Sequence, residues 1–201
     1  AKGKGIMNLP NKLTLLRVIF IPIFIAFFYI DFSGHYFVAL AVFALASITD
    51  FLDGYFARKY NLVTNLGKFL DPVADKILVA SALIVLLTKP EFFCLYLGNE
   101  LLIVAGCCVA VIMARELAVS CFRMVAAAAN LVIAADKVGK YKTATQDISI
   151  VILFVWAGFY EFYPNSLAVE IINYIGLILF AMASLLTIIS GINYIVKNKE
   201  V

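Results

Sequence analysis

Apolar positions gather into six long stretches separated by short polar breaks, and this pattern predicts six helical spans. They cover about 12–30, 36–59, 66–88, 100–129, 138–160 and 167–196. A bilayer core of about 30 Å takes about 20 helical residues, so each stretch has the length of a transmembrane helix. The breaks run from Asp31 to His35, Tyr60 to Asn65, Lys89 to Asn99, Asn130 to Lys137 and Glu161 to Ser166. The fourth and sixth stretches exceed what a bilayer needs, which predicts tilt or extension beyond it. The fold expected from this pattern is all-α, an integral membrane bundle of six transmembrane helices.

Composition agrees. Of 201 residues 64% are hydrophobic and 14% charged, too little polar surface for a soluble domain of this length. Ala1 to Ile6 read as an expression remnant ahead of Met7, leaving 7–201 as one membrane domain with no repeat and no shift in composition. The first apolar stretch lacks a small-residue cleavage site and reads as a retained span. Cys94, Cys107, Cys108 and Cys121 show no ligand spacing with His35, the only histidine, and read as small hydrophobes.

With six spans, both termini share a side with the second and fourth loops. Of the 16 Lys and Arg residues only Lys89 falls in an opposite-side loop, so the positive-inside rule makes that shared side cytoplasmic.

The stretch from Ser47 to Lys76 holds the chemistry. At about 100° per residue, Asp50, Asp53, Gly54 and Ala57 share an arc of about 100° on one helix. Gly67, Asp71 and Asp75 climb one side of the next. Two antiparallel helices can thus turn four carboxylates toward one another, with small residues allowing close approach. An ionised Asp deep in a span costs about 2.5–3.5 kcal/mol, and clustering adds repulsion unless cations intervene. Arg58 and Lys76 could neutralise part of the charge; two divalent cations would cancel all of it, and hard oxygen ligands suit Mg²⁺ or Mn²⁺. Three readings stay open on these residues alone: a metal site, a salt-bridged structural cluster and a cation pathway.

The pattern Asp50-x-x-Asp53-Gly54-x-x-Ala57-Arg58, eight residues, Gly67-x-x-x-Asp71-x-x-x-Asp75 resembles the CDP-alcohol phosphotransferase signature at every defined position. The likeness extends to bacterial phosphatidylglycerophosphate synthases through Asn8 to Arg17, Asn61 to Lys76, Ala114 to Arg123 and Gly139 to Thr143. The resemblance implies that Asp50, Asp53 and Asp71 bind two divalent cations, Mg²⁺ or Mn²⁺. It implies that Asp75 helps hold a metal and is the general base. Gly54 and Ala57 would leave room for cytidine, with Gly67 in the same CDP site, and Arg58 would meet the diphosphate. Asn11, Thr14 and Arg17 lie near the nucleotide in similar synthases, although helix capping and lipid contact explain the same residues. The implied reaction joins CDP-diacylglycerol to an alcohol in a bacterial cytoplasmic membrane, with the active site facing the cytoplasm. A homodimer among membrane lipids is expected, and no nucleic-acid partner.

The signature is shared by enzymes using different acceptors. Arg115, Arg123, Lys140 and Lys142 supply cations suited to a phosphorylated one, and with the resemblance favour sn-glycerol 3-phosphate. Inositol phosphate is the alternative. Arg115 and Arg123 are about 80° apart around a helix and about 12 Å along it, able to line one cavity but not to grip one small phosphate together. The rival for Arg115 is a pair with Glu116 or another buried acid. For Lys137, Lys140 and Lys142 it is attraction to anionic lipid heads. Asp147 reads as structural, and Pro72 either kinks the third helix or starts it. A transporter is the rival class; it would favour polar residues in both membrane halves, and the outer halves here, such as Phe24 to Phe28 and Leu83 to Leu87, are apolar.

Overall fold

The computed structural model describes residues 9–59, 65–128 and 137–197, and the side chains of these except at 9–13, 50–59, 65–72, 75, 127–128, 137–138, 195 and 197. Among the described residues the chain forms seven α-helices and no strand. They are α1 (Leu9–Tyr29), α2 (His35–Lys59), α3 (Asn65–Leu87), α4 (Glu91–Cys94), α5 (Glu100–Ala128), α6 (Lys137–Phe162) and α7 (Leu167–Lys197).

The expectation of six transmembrane helices is not met. Among the described residues three helical segments are long and apolar enough to cross a membrane: Glu100–Ala126, Gly139–Phe162 and Leu167–Tyr194. The apolar segments described in the first three helices, Thr14–Tyr29, His35–Thr49 and Lys76–Leu87, have 10–17 residues each. The reason lies in equating helical length with apolar length. Asp71, Asp75 and Lys76 leave α3 apolar over only part of its course, while the apolar segments of α1 and α2 are bounded by the described side chains, at Thr14 and Thr49. The outer faces are nonetheless those of a membrane protein. Ile103 is 72% exposed on α5 and Leu185 61% on α7, apolar surface that water would not tolerate at such density.

The chain packs as two compact units, Ala1–Ala82 and Leu83–Val201. In the first, α1 buries Thr14, Arg17, Ile21, Phe24 and Phe28, a stripe of alternating three- and four-residue steps that keeps one helix face inward. Phe24 meets Phe43 of α2 at 5.8 Å between ring centroids, and Phe28 meets Tyr36 at 5.4 Å. Gly34, at φ 81°, reverses the chain between the two helices in a conformation that side chains with a Cβ resist. The third helix is already under way at Asn65, so it does not start at Pro72.

In the second unit α6 packs against α7. A Cβ on Gly176 would lie 2.8 Å from Leu153 Cδ2 and 3.0 Å from its Cγ, so a larger residue would force Leu153 to shift, and glycine lets the two helices approach closely. The short α4 corrects a second expectation. The Lys89 to Asn99 stretch reads as a polar break, but Phe92 and Phe93 within it are buried. Phe92 contacts Trp156 at 5.2 Å and Phe154 at 6.3 Å, Phe93 contacts Phe180 at 5.5 Å, and Asn173 Nδ2 donates to the Phe92 carbonyl at 3.2 Å. The loop is a plug, held by aromatic packing on α6 and α7.

Candidate functional site

The signature residues fall on two continuous helices. Asp50, Asp53, Gly54, Ala57 and Arg58 belong to α2, and Gly67, Asp71 and Asp75 to α3. The helical spacing assumed from the sequence therefore holds along both segments. The side chains of these eight residues, and of Asn11 on α1, lie outside the described ones. As a donor set, four carboxylates on consecutive helices fit hard divalent cations. Among the described residues no group of three or more His, Cys, Asp or Glu could hold a metal.

Thr14 and Arg17 are buried, at 1% and 0% exposure. Burial removes lipid contact as their explanation, and Thr14 lies inside α1 rather than at its cap.

The cations of the second unit separate into two kinds. Arg115 Nη1 donates to Glu116 Oε1 at 2.8 Å, and Lys142 Nζ of α6 donates to the same oxygen. Arg115 Nη2 donates to Ser190 Oγ of α7 at 2.6 Å. One carboxylate thus joins two cations, and the network ties α5, α6 and α7 together. The Lys142 side chain is 1% exposed, Glu116 12% and Arg115 14%, a burial that ionised groups accept in an apolar setting only when paired. The pair of Arg115 with Glu116, the rival weighed from the sequence, is present. A glycine sits tightly against the network: a Cβ on Gly191 would come within 3.3 Å of Arg115 Cγ, whereas one on Gly139 would make ordinary contact, at 3.8 Å, with Arg115 Nη2 and Ser190 Oγ.

Arg123 and Lys140 are exposed instead. The Arg123 guanidinium lies 5.9 Å from the centre of the Tyr194 ring. Between α5 and α7 runs an apolar groove of about 540 Å³, walled by Ala118, Phe122, Ile188, Gly191 and Tyr194, with Arg115 as its charged member; Arg123 does not line it. The expected shared cavity for Arg115 and Arg123 is therefore not this groove. Chemically the groove suits an amphiphile, with apolar walls for a chain and a guanidinium for a charged head.

Sequence reasoning weighed Glu116 as a partner of Arg115 but missed Ser190 and Gln146 as parts of this region. Glu116 carried a usable signal, being an acid in the interior of an apolar helix, where it requires a partner. Ser190 carried none, because serines in apolar helices mostly bond their own backbone, as Ser184 and Thr187 do here. Gln146 is buried one turn beyond Lys142, and its Oε1 has no hydrogen-bond partner among the described residues.

With helices, acid pattern and cation network in place, the class is defined. The chain belongs to the CDP-alcohol phosphatidyltransferase family, which it matches over residues 7–191. It is an enzyme of that family, and membership implies dependence on divalent metal. It is 37% identical to the CDP-diacylglycerol–glycerol-3-phosphate 3-phosphatidyltransferase of Rickettsia felis, over 96% of each chain. It is equally 37% identical, over 96% of each chain, to the protein of that name from Bacillus subtilis. To the Shigella flexneri protein of that name it is 34% identical, over 94% of this chain and 93% of the relative.

Proposed function

We propose that this enzyme transfers the phosphatidyl group of CDP-diacylglycerol to sn-glycerol 3-phosphate, releasing CMP and phosphatidylglycerophosphate. The observation that carries this reading is near-full-length similarity to bacterial proteins bearing that activity in their names, together with an intact eight-residue signature. The family match runs through both units, which supports reading 7–201 as one functional domain.

Asp50, Asp53 and Asp71, with help from Asp75, would hold two divalent cations, Mg²⁺ or Mn²⁺. When bound, these supply positive charge for the diphosphate and for the departing CMP. Asp75 takes the proton of the acceptor hydroxyl. The freed oxygen bonds to the β-phosphorus, the bond from that phosphorus to the bridging oxygen breaks, and CMP leaves with the bridging oxygen. Gly54, Ala57 and Gly67 give the nucleotide room, Arg58 meets the diphosphate, and Asn11, Thr14 and Arg17 complete the donor site. Arg115 and Lys142 hold the acceptor phosphate, with Arg123 and Lys140 drawing it in from the more exposed positions they occupy. The site faces the cytoplasm, where a charged, soluble acceptor is available. The enzyme works as a homodimer in the bacterial cytoplasmic membrane.

An acceptor panel tests this reading: purified protein, CDP-diacylglycerol, Mg²⁺ or Mn²⁺, and each candidate alcohol in turn, with CMP release measured. Glycerol 3-phosphate should give the fastest release. Faster release with inositol phosphate, serine, choline or ethanolamine would overturn the acceptor assignment.

A further inference from the structure

We infer that Glu116 is a positioning residue for the acceptor phosphate, acting through the two cations it joins. The inference rests on the acceptor reading above and goes beyond it, since Glu116 contacts no reacting atom in that reading.

Three observations carry it. First, a single carboxylate oxygen accepts from Arg115 Nη1 at 2.8 Å and from Lys142 Nζ, whose residues lie on different helices. The ammonium and the guanidinium are thereby held on either side of one point, a separation that two mobile cations would not keep against their mutual repulsion. Second, Lys142 is almost fully buried. An ammonium so enclosed is placed by the carboxylate that pairs with it rather than by water, so its position depends on Glu116. Third, the Arg115 guanidinium is pinned at both ends, by Glu116 on Nη1 and Ser190 on Nη2. Its buried Nε has no hydrogen-bond partner among the described residues. A guanidinium fixed in plane with donors to spare is prepared for an incoming oxyanion, because less freedom is lost when the anion binds. In this network one carboxylate serves two cations, so Glu116 orients them without cancelling both.

Competition by the carboxylate would have the opposite consequence, since removing Glu116 would then release donors and tighten phosphate binding. The geometry decides between the two, because Glu116 Oε1 joins Lys142 and Arg115 from different helices, and the enclosed lysine loses that placement when Glu116 is neutralised.

The test uses the purified full-length enzyme with each substrate varied, together with direct equilibrium binding of glycerol 3-phosphate. Glu116→Gln keeps the shape and removes the charge. It should raise the KM and Kd for glycerol 3-phosphate about tenfold or more, while kcat and the KM for CDP-diacylglycerol stay within about threefold. Glu116→Asp restores the charge on a shorter stem and should recover part of the lost affinity. A fall in kcat with unchanged KM for both substrates would show a merely structural residue and overturn the inference, as would tighter glycerol phosphate binding in Glu116→Gln. Arg115→Ala and Lys142→Ala separate the two levels. If both raise the KM for glycerol 3-phosphate and Glu116→Gln does not, the positioning role fails and the acceptor site stands. If neither raises it, the acceptor site fails and the inference falls with it.

Discussion

The acids of α2 and α3 and the cations of α5 and α6 differ in how their chemistry is encoded. The acids form a fixed pattern along the sequence, four carboxylates spaced by helical turns with Gly and Ala between them. The cations form no such pattern. Arg115 and Lys142 belong to one cluster only because Glu116 receives both, across 26 residues of chain. In the proposed reading, chemistry on the diphosphate, which every acceptor shares, sits where the sequence is most regular, and selection of the acceptor falls to residues that meet only through tertiary packing. This division predicts that acid substitutions act on turnover and cation substitutions on acceptor affinity.

The largest effects should come from the carboxylates proposed to bind metal. Asp50→Asn, Asp53→Asn or Asp71→Asn should each remove turnover, by at least the order of 10²–10³-fold that loss of one preorganised electrostatic group entails. Chelation should do the same reversibly. Full activity in excess EDTA would dissolve the contrast between the two regions, because the acids would then be structural.

Next comes Asp75→Asn. A general base contributes about 10²–10⁴-fold, so kcat should fall by that order while CDP-diacylglycerol still binds. Near-normal turnover would move the base elsewhere; an equal loss of donor binding would make Asp75 a simple metal ligand.

The positions of the long helices were legible in the sequence, since apolar runs bounded by polar breaks set them to within a few residues. The number of membrane-crossing helices was not. Asp71, Asp75 and Lys76 make α3 a long helix with a short apolar part, and a count by helix length overlooks this. The buried plug of α4 was hidden for a related reason. Lys89, Pro90, Glu91 and Asn99 mark the stretch as a loop, and no local pattern tells that Phe92 and Phe93 turn inward onto Trp156 and Phe180. At the site, the adjacency of Arg115 and Glu116 was readable, whereas the arrival of Lys142 and Ser190 depends on how α6 and α7 pack. Gly191, tight against Arg115 Cγ, eases that packing without announcing it.

A smaller effect sharpens the comparison at the buried cations. Charge-assisted hydrogen bonds are worth about 1.5–3 kcal/mol, so Arg115→Ala should raise the KM for glycerol 3-phosphate about 10- to 100-fold. Arg115→Lys should restore little, because an ammonium cannot span Glu116 and Ser190 as the planar guanidinium does. Complete rescue by lysine would mean that charge alone matters there.

The smallest effect belongs to Arg123, and it divides the four cations that the sequence placed together. Arg115 is held by a carboxylate and a hydroxyl within a network that joins three helices. Arg123 is exposed, with its guanidinium over the Tyr194 ring at 5.9 Å. A cation over an aromatic face at an exposed site contributes about 0.5–1 kcal/mol. Where the exposed Arg123 reaches water, salt screens its pull on a phosphate, whereas solvent reaches the enclosed Arg115 far less. Arg123→Ala should therefore raise the KM for glycerol 3-phosphate by only about two- to fivefold at low salt, and by less as ionic strength rises. The Arg115→Ala loss should persist across the same salt range, because its site is mostly out of reach of solvent. Measuring both KM values over a salt series checks this directly. Equal, salt-insensitive losses would show that Arg123 leaves Tyr194 to grip the phosphate, and that burial in the resting enzyme does not rank these cations.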